Sequence, residues 1–161
     1  MCIRDRSGTA SNVTVTTDKA TYVPGEKITM TVTILDSTAK PVLGKTSYAD
    51  IFTSTGVTAS MGLQSGTLPA STILDYSNVT NTKAFTLYAP VTGGTLTFSY
   101  TGGTALATAN QVAKTTVVTV TDNGAAALAA VAALTTAVAA LKTLLTTLTN
   151  LVLKIQKKVK A

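Results

Sequence analysis

The residues able to do chemistry in this chain are few and scattered. Histidine is absent, Cys2 is the one thiol, and the acids beyond the first six residues are Asp18, Glu26, Asp36, Asp50, Asp75 and Asp122. A nucleophile needs an adjacent base, and a structural metal site needs clustered Cys, His or carboxylate ligands. Neither spacing occurs, and no Asp-x-Asp-x-Asp-Gly calcium loop is present. The chain is therefore expected to be non-enzymatic, with no catalytic residues, no metal and no cofactor.

Three short motifs carry little more. Asn12-Val13-Thr14 and Asn78-Val79-Thr80 are glycosylation sequons of the kind a threonine-rich chain supplies by chance. LPAST (68–72) is similar to the Leu-Pro-x-Thr-Gly wall-attachment signal, but Ile73 follows where glycine belongs, so a loop leucine before a turn proline is expected.

Charge is unevenly placed. From Ser7 to Gly124 six lysines balance six acids, whereas beyond Gly124 stand Lys142, Lys154, Lys157, Lys158 and Lys160 with no acid. The sequence pI of 9.6 thus describes a basic tail on a neutral body. Nucleic-acid binders carry a basic face on the folded part, often with Arg for base edges or aromatics for stacking. That pattern is missing, and no nucleic-acid partner is expected.

These residues must be held by strands, because the body alternates aliphatic residues with threonine. In KITMTVTIL (27–35) Ile28, Met30, Val32 and Ile34 point one way and Thr29, Thr31 and Thr33 the other, the mark of a sheet with one buried face. NVTVTTD (12–18), SYADIFTST (47–55), KAFTLYA (83–89), TLTFSYT (95–101) and KTTVVTVTD (114–122) are the other strand candidates. Pro24-Gly25, Asp36 to Pro41, Gly93-Gly94 and Gly102-Gly103 supply turns. Gly56 to Asn81 predicts one or two short edge strands in a long loop region, the place to expect binding. About seven strands without a helical interval predict an antiparallel immunoglobulin-like β-sandwich over 7–123.

Two resemblances bear on identity. TDKATYVPGEKITMTVTILDSTAKPV (17–42) resembles the opening of bacterial immunoglobulin-like, macroglobulin-type surface domains, through Asp18, Lys19, Tyr22, Pro24, Gly25, Glu26, Asp36, Pro41 and Val42. The resemblance implies a spacer or adhesion module outside the cell. MCIRDR (1–6) resembles the translation of a transposase end sequence used to prepare DNA sequencing libraries. On that reading it is an assembly artefact, the true start and any signal peptide lie upstream, and Cys2 says nothing of redox compartment.

Beyond Gly124 the period changes from two to seven. With Val131 at heptad position a, Val138, Leu145, Val152 and Val159 are also a, and Leu134, Leu141, Leu148 and Ile155 are d. Aliphatic a and d positions sustained over four heptads predict a coiled-coil helix over 124–161, with these nine residues as the oligomer interface. A membrane anchor competes, because Ala125–Leu141 carries no charge. Its apolar bulk is only Leu128, Val131, Leu134, Val138 and Leu141 among Ala and Thr, and Lys142 interrupts it. Heptad register explains the leucines better. The tail, notably LTNLVLKIQKKVKA, resembles the C-terminal ends of large surface proteins of planktonic actinobacteria.

The expected protein is thus the C-terminal fragment of a secreted, S-layer-like or stalk protein of the cell surface, homo-oligomeric as a trimer or dimer. Lys154, Lys157, Lys158 and Lys160 cap the helix dipole, with an anionic wall polymer or membrane surface as the contact they would suit. The alternatives are an adhesin binding glycan or protein through its loops, and a viral or phage fibre segment.

Overall fold

Threonine and β-branched aliphatics favour pleated, half-buried surface, and strands fill the chain as far as Val120. In order they are β1 (Asn12–Thr17), β2 (Thr21–Tyr22), β3 (Lys27–Leu35), β4 (Lys45–Tyr48), β5 (Thr58–Ala59), β6 (Ser65–Gly66), β7 (Ile73–Tyr76), β8 (Lys83–Tyr88), β9 (Gly94–Thr101) and β10 (Ala113–Val120). A 3-10 turn (Thr108–Asn110) precedes β10, and one helix, α1 (Asn123–Val159), ends the chain. The computed structural model describes residues 8–160, so the expectation about residues 1–6 lies outside the described residues. The chain divides into two compact units at Asp122 and Asn123.

The first unit holds one four-stranded sheet in the order β1-β3-β8-β6, a second in the order β2-β10-β9-β5, and the two-stranded pair β4-β7. All pairings are antiparallel except β2 with β10. The inward residues of both large sheets join one hydrophobic cluster, which takes in Val13, Val15, Ile28, Met30, Val32 and Ile34 from one and Tyr22, Leu96, Phe98, Val118 and Val120 from the other. Edge-to-face aromatic pairs, Phe52 with Tyr100 and Tyr48 with Tyr76, sit at centroid distances of 5.5 Å and 5.2 Å.

Strand β1 ends its own sheet, yet its outer edge is not left open to another chain. Val15 N donates to Tyr100 Oη at 3.3 Å, Thr116 Oγ1 donates to Val15 O at 2.7 Å, and Lys114 Nζ donates to Val13 O and Asn12 Oδ1. Side chains of β9 and β10 thereby occupy backbone groups that an edge strand otherwise presents for pairing.

The residues that carry the surface-domain resemblance spend their polar groups on turns. Asp18 Oδ1 accepts from Thr29 N at 2.7 Å and Tyr22 Oη at 2.8 Å, while Glu26 Oε2 accepts from Val23 N at 2.8 Å and its other oxygen pairs with Lys19. Gly25 takes φ 75°, where a side chain would be strained. Asp36 accepts from Thr38 Oγ1 at 2.7 Å, Thr38 N at 2.8 Å, Lys40 N at 3.0 Å and Gly8 N at 3.2 Å. Those bonds, led by the one from Thr38 Oγ1, lower its carboxyl to about 2.

Two expectations are corrected. SYADIFTST is not one strand: β4 stops at Tyr48, and Asp50 turns the chain at φ 53°. Ile51 and Phe52 are both buried, which a straight strand with alternating side chains cannot do, and their N–H groups share Ser71 O at 3.0 Å and 3.2 Å. Gly103 lies against this turn so closely that a Cβ there would stand 2.1 Å from Asp50 O. The second correction is in number. Ten strands replace about seven, because β2, β5 and β6 are two-residue pieces and Gly56 to Asn81 holds three strands, not one or two.

Candidate self-association surface

Helix α1 is built from strong helix formers without Pro, and its 37 residues rise over roughly 55 Å at 1.5 Å each. Lys157 and Lys158 stand in its last turn, where the helix dipole is negative. One turn brings residues three and four apart onto the same side. Val131, Leu134, Val138, Leu141, Leu145, Leu148, Val152, Ile155 and Val159 therefore form one continuous aliphatic stripe. All nine are exposed, by 45% at Val152 to 80% at Val159.

Two flanking positions widen the stripe. Leu144 and Leu151 occupy g beside it and are exposed as well. Leu128 at e and Leu153 at b are further exposed leucines that strict a/d counting passes over. Their signal in the sequence is leucine at positions where a soluble two-stranded coil ordinarily carries charge.

The remaining surface of α1 is chemically quiet. Its threonines all fall off the a and d positions, and each donates its hydroxyl to the carbonyl four residues back. Thr135 bonds Val131 O at 2.9 Å, Thr143 bonds Ala139 O at 3.1 Å and Thr149 bonds Leu145 O at 2.9 Å, with Thr136, Thr146 and Thr147 alike. Such back-bonding satisfies the hydroxyl inside the helix. By length and composition Ala127–Val159 is also apolar enough to cross a membrane, with Lys142 within it. An ionisable side chain at the centre of a span is costly, by about 2.5–3.5 kcal/mol on insertion scales.

The basic residues gather at the far end. Lys154, Lys157, Lys158 and Lys160 are exposed and fall at c, f, g and b, off the aliphatic seam. An assembly through a and d would leave them in water.

The first unit offers less. Its Gly56 to Asn81 segment, expected to be a binding loop, sends Val57, Ile73 and Tyr76 into the core and packs Leu68 against it. The LPAST stretch is part of this: Pro69 is buried and its carbonyl accepts from Val57 N at 2.8 Å. A cleft of about 380 Å³ is lined by Asp50, Phe52, Thr53, Thr101 and Gln111 among others, with Asp50 as its one ionisable side chain. Among the described residues no three of His, Cys, Asp and Glu come together.

No known protein family matches the chain, and no characterised protein matches it in sequence.

Proposed function

We propose that this chain is a non-enzymatic structural component of the cell surface, S-layer-like or stalk-like, in which an immunoglobulin-like β-sandwich is gathered into homo-oligomers by α1. The observation that carries the reading is the stripe of nine exposed aliphatic residues on a helix with no acid. Burying one Leu or Val is worth about 1.5–3 kcal/mol. Even discounted by half for contacts within the helix, nine give about 7–14 kcal/mol per helix, and two helices together outweigh most of the roughly 4–15 kcal/mol that association costs in lost freedom.

Valine at most a positions with leucine at d suits a parallel dimer, but Leu144 and Leu151 at g broaden the stripe toward three helices. The trimer is the favoured state. With no acids in α1, register rests on the fit of Val, Leu, Thr and Ala rather than on salt bridges. The lysines beyond the seam suit an anionic wall polymer or membrane surface. Exchange of Leu141→Asp together with Leu148→Asp places charges in two successive d layers. Light scattering on the eluted peak is expected to show this variant as a monomer beside an oligomeric wild type. An unchanged mass would remove α1 from the assembly.

A further inference from the structure

The end of α1 carries four of the helix's five lysines, and carries them on one side. At about 100° per residue, Lys154, Lys157, Lys158 and Lys160 share the half of the helix that faces away from Val152, Ile155 and Val159. All four are exposed. Asn150, Leu153, Lys154 and Lys157, three or four residues apart in turn, line a shallow cleft of about 310 Å³ on that same side. Two ammonium groups and a carboxamide there are donors for one anion. No acid stands in α1 to pair with them.

Association through the seam concentrates this charge. In a parallel trimer, four lysines from each of three chains fall within six residues of axial rise, about 9 Å. Neighbouring helix axes lie about 8–10 Å apart. Both lengths are close to the Debye length of about 8 Å at physiological salt, so these like charges still repel one another. The assembled end calls for a counter-charge that α1 does not supply.

We infer that this end of α1 is a binding site for a linear polymer of phosphate groups, whose charge also favours the parallel assembly. The inference rests on the assembly proposed above and names the partner of its outer side. Lysine binds phosphate as a point charge, and α1 has no Arg to read base edges and no aromatic to stack on bases. Charge density is what it recognises. A flexible polymer can follow lysines that point outward in three directions, whereas a flat bilayer cannot. With the seam closed, Leu153 is the one aliphatic residue left among the lysines, too little apolar surface to enter a lipid layer.

Inorganic polyphosphate is the probe, and the full chain is the protein to titrate. Binding is expected to weaken steeply as salt rises, because each engaged lysine releases counterions from the polymer. Lys154→Gln with Lys157→Gln preserves the helix, since Gln and Lys have similar helix propensity. That chain is expected to bind at least about tenfold more weakly, with roughly half the slope of log Kd against log salt. Polyphosphate is also expected to lower, at least about tenfold, the concentration at which wild-type chains assemble in sedimentation. The Lys154→Gln, Lys157→Gln chain is expected to respond less. Four results overturn the assignment: no binding by wild type, equal binding by the lysine variant, assembly indifferent to polyphosphate, or phosphatidylglycerol vesicles bound as tightly per phosphate group. Each leaves the α1 oligomer to be judged separately, by the mass of the chain without polyphosphate.

Discussion

Strand β3 and helix α1 use the same kinds of side chain in opposite ways. Ile28, Met30, Val32 and Ile34 on β3 are 0% exposed, sealed by the cluster that both large sheets share. The valines and leucines of α1, equally regular in sequence, all remain in water. Burial of apolar surface is the dominant favourable term in folding and in most association. The first unit has consumed that term within itself, whereas the second still holds it. A regular aliphatic pattern thus has two meanings, a core or an unfinished interface, and only the presence of an opposing layer tells them apart.

The comparison breaks most violently where the closed side is opened. Val32→Asp puts an unpaired charge into the shared cluster and is expected to unfold the first unit, at a cost above about 4 kcal/mol. Thr31→Asp, one residue away on the outward side between Thr16 and Ala84, is expected to cost under about 1 kcal/mol. Equal effects in thermal melts of the two variants would deny β3 its two faces.

A smaller loss tests how the core satisfies its polar groups. Tyr76 Oη accepts from Ile34 N at 2.9 Å and donates to Asn81 O. Tyr76→Phe leaves a buried N–H and a carbonyl without that partner, and about 1–3 kcal/mol of stability is expected to go in chemical denaturation. No change would mean that other groups take over both bonds.

These contrasts were unevenly legible in the sequence. Period-two alternation gave away β3 with its two faces and located β9 and β10, and period seven gave away α1. Ile51 and Phe52 defeated the same reading because the turn at Asp50 lets neighbours share a side. Strands β2, β5 and β6 are too short for any period to register, and the parallel pairing of β2 with β10 joins residues about a hundred positions apart. The stripe on α1 was readable because heptads are local.

The mildest expected effect is a pH response of the first unit alone. Asp36 has its carboxyl lowered from 3.8 to about 2 by its bonds from Thr38, Lys40 and Gly8. A carboxylate with a depressed folded pKa lends stability that is complete above the unfolded value and lost as pH falls through the folded one. The melting temperature is therefore expected to drop between pH 4 and about 2. Asp36→Asn, which cannot titrate, is expected to flatten that part of the curve. A wild-type curve that is already flat there would remove the Asp36 turn from the acid response.

The central claim is that α1 holds an unsatisfied interface for its own kind, and sedimentation equilibrium of the full chain measures it most directly. At tens of micromolar and moderate salt, the expected mass is that of three chains, or two. A single species at the mass of one 16.4 kDa chain would contradict it.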